Sequence, residues 1–246
     1  MSVSEVLVSK KMVSNAMVSR AVGILGGTFD PVHNGHIQIA LDALELLGLD
    51  EVRLVPCHRP PHRGCPTLTS EQRVELLRLA VKEYPQLSVD TRELQREQAS
   101  YTVTTLEDLR QELGEDTSIV FILGADAFAQ LATWHQWERL RDLAHIVVMA
   151  RPNSSSPSHP VLQQWVEQAT VRLSATTENR SFSIEGKAAF KQQSSGGFAL
   201  LERHLMDVSA TAIRAQLEGA CHSNAVAQLP SAVAAYIQDQ GLYRPR

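Results

Sequence analysis

The chain has 246 residues, of which 43% are hydrophobic and 20% charged, with a net charge of −4 and three cysteines. That length and mixture suffice for a full core, and the acidic balance argues against bulk attraction to nucleic acid. Cys57, Cys65 and Cys221 are odd in number and form no C-x-x-C pair, so a reducing, cytoplasmic setting is expected rather than a disulfide framework.

Residues 1–20 carry scattered valines and Lys10-Lys11 but no continuous apolar segment. They read as a frayed extension, not a signal peptide, ahead of a single domain over 21–246. No later stretch has the length of a membrane span. The first strand is the apolar run 21–25. It leads into Gly26-Gly27-Thr28-Phe29-Asp30-Pro31-Val32-His33-Asn34-Gly35-His36 and then a helical stretch over 37–44. Strand, glycine-rich turn and helix start in this order make a phosphate site, because exposed N–H groups and the positive end of the helix dipole face the turn. His33 and His36 add side-chain donors at the same place. The turn is neither a P-loop nor a dinucleotide fingerprint, since it lacks both G-x-x-x-x-G-K-[ST] and G-x-G-x-x-G.

Residues 51–56 read as a second strand. Thr69 and Gln72 form a capping box for a helix carrying Val74, Leu77 and Val81 on one face. A short strand follows at 87–90, then a helix over 102–113 with Gly114 as its C-terminal cap. Residues 118–124 are a continuously apolar strand of the kind found inside parallel sheets. A helical stretch at 137–143 precedes another such strand at 145–150. Residues 152–158 and 192–197 read as loops by composition, the second as a flexible tip inside an irregular region from about 176 to 201. Helical pattern returns at 210–217 and 231–240.

This alternation predicts an α/β fold: a doubly wound, Rossmann-like parallel sheet with helices on both faces and a small helical C-terminal part. Ligands of such sheets bind beyond the carboxyl ends of the strands. The opening turn, Gly124 to Asp126, and Arg151 should therefore line one crevice. Cys57, His58, His62 and Cys65 do not have zinc-site spacing. The residues alone leave His33 and His36 open to a helix-cap role or, with Asp30, a metal site. They also leave Trp134 open to a core role and Asp126 to a helix N-cap.

The block containing His33-Asn34-Gly35-His36 resembles the T/H-x-G-H signature of nucleotidylyltransferases, and most closely that of the bacterial nicotinate mononucleotide adenylyltransferases. Five further segments are similar to that family, in order. They are Pro60-Pro61-His62-Arg63, Ser100-Tyr101-Thr102 with Thr105-Leu106, Gly124-Ala125-Asp126 with Leu131 and Trp134, Ser209-Ala210-Thr211-Ala212-Ile213-Arg214, and Gly241-Leu242-Tyr243.

The resemblance implies adenylyl transfer from ATP to nicotinate mononucleotide, giving deamido-NAD and pyrophosphate. It implies catalytic roles for His36 at the α-phosphate, His33 at the neighbouring phosphates and Arg214 at the β- and γ-phosphates. Gly26, Gly27, Thr28, Phe29, His62, Arg63, Ser209 and Thr211 would bind ATP and its phosphates. Tyr101, Thr102, Asp126, Trp134 and Arg151 would take the mononucleotide, with Trp134 stacked on its ring. Ala210 stands where the family often has a second serine, which removes one hydroxyl contact. Mg²⁺ would arrive with ATP rather than in a dedicated protein site. Another acceptor, such as nicotinamide mononucleotide or phosphopantetheine, is the alternative substrate. Monomer and homo-oligomer both stay open, and no nucleic-acid or membrane partner is expected.

Overall fold

The computed structural model describes residues 20–59, 65–151, 157–169, 171–173, 190–219 and 222–244. Seven parallel strands form one sheet: β1 (Arg20–Gly27), β2 (Glu51–Pro56), β3 (Leu87–Val89), β4 (Thr117–Gly124), β5 (His145–Ala150), β6 (Val171–Leu173) and β7 (Phe198–Glu202). Their order is β3-β2-β1-β4-β5-β7-β6. The winding reverses between β1 and β4, which pair in parallel with Leu25 opposite Ile122, and this is where a doubly wound sheet opens a crevice.

Side chains alternate across each strand and so feed two apolar layers. Val120 and Ile122 of β4, with Val147 and Met149 of β5, meet α1 (Asn34–Leu47), α2 (Ser70–Val81) and the C-terminal helices α7 (Ala210–Glu218) and α9 (Ser231–Asp239). Ile119, Phe121 and Leu123 of β4, with Ile146 and Val148 of β5, meet α3 (Thr102–Leu113), the short helices α4 (Ala125–Ala129) and α5 (Leu140–Leu143), and α6 (Pro160–Glu167). A short helix, α8 (His222–Ala227), lies between α7 and α9. The predicted two-faced architecture and helical C-terminal part are therefore present.

The predicted boundaries hold for β2, α3 and β5. Thr69 and Gln72 form the expected capping box, and Gly114 donates its N–H to Arg110 at the end of α3. Three readings need correction. Arg20, assigned to the extension, opens β1. The region read as irregular contains β7, whose Phe198 and Leu201 are buried against the two layers. The 192–197 tip is pinned rather than flexible. Ser194 O accepts from Ile119 N and Arg110 Nη2 at 3.2 and 2.9 Å, and Gly196 N donates to Ala144 O at 3.3 Å. The neutral His145 ring spans the same loop, with Nε2 2.8 Å from Gln193 O and Nδ1 accepting from Gly197 N at 2.8 Å.

Candidate active site

β1 ends in glycines because the turn that follows folds back on it. A Cβ on Gly27 would lie 2.9 Å from the Phe29 ring. Phe29 is buried and has a φ of 50°, a left-handed conformation unusual for a side-chain-bearing residue. Its ring meets His36 edge-on, with centroids 4.9 Å apart. The His33 and His36 rings stack at 3.7 Å. Gly35 permits this crowding, since a Cβ there would meet Val208 Cγ1 at 2.7 Å and His33 Nδ1 at 3.2 Å.

His33 is the N-cap residue of α1, and its backbone N–H donates to His36 Nδ1 at 3.2 Å. An accepting Nδ1 places the His36 proton on Nε2 and leaves that atom as a donor. Burial keeps both rings neutral. It lowers the His33 pKa to about 4 and holds His36 well below its usual value, with the neighbouring His33 contributing in the second case. The Nδ1 of His33 is buried and has no hydrogen-bond partner among the described residues.

Beneath the turn sits a knot of charged and polar groups. Asp30 is buried and accepts from Thr67 N at 2.6 Å, Leu68 N at 3.4 Å and the Tyr243 hydroxyl at 2.7 Å. Its carboxylate is thereby turned to the loop and the chain's last aromatic, so the trio His33, His36 and Asp30 does not form a metal cage. Among the described residues no group of three histidines, cysteines or carboxylates could hold a metal. Arg214 Nη1 donates to Asp30 O at 2.6 Å, and its Nη2 lies 3.3 Å from Thr211 Oγ1. Ser209 caps α7 by accepting from Ala212 N at 3.2 Å. The segment leading to Ser209 is tied to α1 through Gln38, which bonds His204 O and Met206 N. The structure thus brings together Gly27, Thr28, Phe29, His33, His36, Thr211 and Arg214.

Gly124 closes β4 beside the end of β1, and Asp126 is exposed in the first turn of α4. It makes no cap bond, so the N-cap alternative fails. Trp134 is half-buried and packs edge-on against Phe121 at 6.2 Å, and Tyr101 lies against His135 at 4.4 Å. Thr102 is the first residue of α3. Ser100 Oγ accepts from the N–H groups of His58 and Arg59, both at 3.3 Å, which fastens this loop to the end of β2. Cys57 stands there as a half-buried thiol pushed up to about 12, mainly by burial, and so is a poor nucleophile. Arg151 bonds Asp207 and Met206 O at 2.8 and 2.9 Å, in the segment that leads to Ser209. His62 and Arg63 lie outside the described residues.

Sequence reasoning passed over Arg73 and did not see the anchoring roles of Asp30 and Tyr243. Arg73 shares the buried face of α2 with Leu76, Leu77 and Ala80. An arginine in an apolar helical stripe is the signal that could have marked it.

This fold and turn define a nucleotidyltransferase class, and the chain belongs to the cytidylyltransferase-like family, which matches it over residues 24–216. Within that class it is a member of the nicotinate-nucleotide adenylyltransferase family. It is 41% identical over 231 residues to a Pseudomonas putida W619 protein named "probable nicotinate-nucleotide adenylyltransferase", covering 94% of this chain and 98% of the relative. A Cellvibrio japonicus protein of the same name is 42% identical over 228 residues, covering 91% and 98%. A solved structure, Plasmodium falciparum nicotinic acid mononucleotide adenylyltransferase complexed with NaAD, shares the fold with a TM-score of 0.63 at 16% identity. The match covers 91% of this chain and 97% of that one.

Proposed function

We propose that the protein transfers the adenylyl group of ATP to nicotinate mononucleotide, forming deamido-NAD and pyrophosphate in NAD biosynthesis. The observation that carries this reading is the stacked, neutral histidine pair at the start of α1, with His36 Nε2 fixed as a donor beside a glycine turn and Arg214. A mononucleotide phosphate oxygen attacks the α-phosphorus, a new P–O bond forms, and the α–β bridging oxygen leaves with pyrophosphate. The attacking oxygen is already anionic at neutral pH, so no protein base or nucleophile is needed. Positioning and stabilisation of developing charge carry the catalysis.

His36 donates to the α-phosphate and His33 stands beside it. Arg214, Ser209 and Thr211 take the leaving phosphates, the backbone of Gly26, Gly27, Thr28 and Phe29 cradles them, and His62 and Arg63 add basic contacts to ATP. Trp134, Tyr101 and Thr102 receive the pyridine ring, while Asp126 and Arg151 flank the mononucleotide. ATP enters as its Mg²⁺ complex, the metal being part of the substrate. The three cysteines, with no C-x-x-C pair, support a cytoplasmic setting. Among the described residues no helix is long and apolar enough to cross a membrane.

The test is pyrophosphate release from MgATP with nicotinate mononucleotide, nicotinamide mononucleotide and phosphopantetheine side by side. A strong preference for the nicotinate acceptor is expected. Equal rates with the nicotinamide acceptor would refute the ring preference, and no release with any acceptor would refute the enzyme.

A further inference from the structure

We infer that Arg73 is a positioning residue for the transfer, gripping the peptide between Thr28 and Phe29 so that its N–H is aimed at substrate phosphate. This rests on the adenylyl-transfer reading above.

Arg73 is 1% exposed, and its place on α2 is one where an aliphatic side chain would pack. A guanidinium remains charged at any working pH, and burying it is unfavourable unless its donors are satisfied. Here satisfaction is incomplete. Nη1 donates to Thr28 O at 2.6 Å and Nη2 to Ser70 Oγ at 2.8 Å, while the buried Nε has no partner among the described residues. Its charge is also favoured by the nearby, buried Asp30 carboxylate, which offsets part of the cost of burying it. What the arginine uniquely reaches is the carbonyl of the phosphate turn.

That carbonyl belongs to the trans peptide joining Thr28 to Phe29, the only cis bond among the described residues being Asp30–Pro31. In a planar trans peptide the C=O and N–H point in opposite directions. Holding Thr28 O against Arg73 therefore directs the Phe29 N–H away from α2. The next residue supplies the other clamp, because Asp30 is fixed by Arg214, Thr67 N and Tyr243. Phe29, with its left-handed φ of 50°, lies between the two grips. Such a conformation persists where surrounding contacts over-determine it. Releasing Arg73 frees the Thr28–Phe29 peptide to rotate and withdraws a phosphate donor.

The test compares Arg73→Lys, Arg73→Met and Ser70→Ala. It measures steady-state kinetics, calorimetric binding of a non-hydrolysable ATP analogue, and thermal unfolding. Arg73→Met is expected to lower kcat/KM for ATP about a hundredfold and to weaken analogue binding, with KM for nicotinate mononucleotide within twofold. Arg73→Lys, which can still reach Thr28 O with one ammonium, should lose about tenfold. Ser70→Ala removes only the second arm and should stay within twofold.

Folded Arg73→Lys and Arg73→Met proteins with unchanged kcat/KM for ATP would overturn the inference. So would an equal loss from Ser70→Ala, which would place the effect at the start of α2 instead of the turn. If Arg73→Met does not fold, the Lys and Ser70 pair decides. A wild-type protein that releases no pyrophosphate refutes the activity, while analogue binding still judges Arg73.

Discussion

On the phosphate side of the crevice, Arg73 bonds Thr28 O, and Arg214 and Tyr243 bond the buried Asp30, all at 2.6–2.7 Å, while His33 and His36 are locked ring on ring. On the opposite side, Trp134 and Tyr101 are half-exposed, held by edge packing against Phe121 and by His135, and Asp126 faces solvent. Directional bonds fix atoms to a few tenths of an ångström, whereas ring packing fixes a plane and leaves it room to slide. The difference fits the chemistry proposed for each side. Stabilising charge on a phosphorus centre requires donors that are already in place, while accepting a flat ring requires mainly a surface.

The sharpest break in this comparison is His36→Ala. If the phosphate side works through preplaced donors, turnover should fall by about 10²–10³-fold, the range for loss of one charge-stabilising donor. Melting temperature should fall only modestly, because the half-buried ring gives up its contacts with His33 and Phe29 and one backbone hydrogen bond. Pyrophosphate release and thermal unfolding measure the two quantities. Normal turnover with lower stability would make His36 a structural cap.

The acid sensitivity of the fold should arise in two places, the histidine pair of the phosphate side and His145 at the opposite end of the sheet. Burial lowers the pKa of His33 and of the sheet-end His145 from 6.5 to about 4, and His36 moves in the same direction. Unfolded histidines take up protons below about 6.5 while the folded ones resist. Their contribution is thus complete above pH 6.5 and is lost as pH falls through 4, by at most about 3 kcal/mol for each of His33 and His145. Urea unfolding at pH 7.0, 5.5 and 4.5 should show a steady decline in stability, and His145→Gln should flatten its own share. A flat profile over that window would mean the rings are solvated.

Much of this contrast was legible in the chain. The strands that carry the site read directly from continuous apolar runs, and residues 102–113 read as a helix because their period and terminal glycine agreed. The phosphate turn was visible because glycine, Asp-Pro and paired histidines each impose a local geometry. What stayed hidden depends on partners distant in sequence. Phe198-Ala199-Leu200-Leu201-Glu202 is too short to declare itself beside a Ser-Gly stretch, and pairing with β5 and β6 makes it a strand. Arg73 meets Thr28 across 45 positions and Tyr243 meets Asp30 across 213. No local pattern encodes either bond. The 192–197 loop misled for the same reason, since its composition says tip while Arg110, Arg141 and His145 hold its backbone.

Tyr243→Phe tests whether the far end of the chain belongs to the phosphate side. The hydroxyl donates to Asp30 Oδ1 inside the core, and its pKa is pushed upward by burial and by that carboxylate. Losing this donor leaves a buried carboxylate oxygen short of a partner, which costs about 1–3 kcal/mol. A fall of that size in urea-unfolding free energy, together with a severalfold lower kcat, is expected. Loss of stability with unchanged kcat would confine Tyr243 to holding the C-terminal segment.

The smallest effect should come from the ring side. The Trp134 ring is placed by its contact with Phe121, and an aromatic pair contributes about 0.5–1.5 kcal/mol beyond the area it buries. Trp134→Ala should therefore raise KM for nicotinate mononucleotide by about three- to tenfold, with KM for ATP and kcat near wild type. Trp134→Phe should recover most of the loss, since a smaller ring still offers a face. Initial-rate kinetics with each substrate varied in turn separate these outcomes. A loss in kcat matching that of His36→Ala would show that the ring side also positions the reacting atoms, and the division of labour between the two walls would fall.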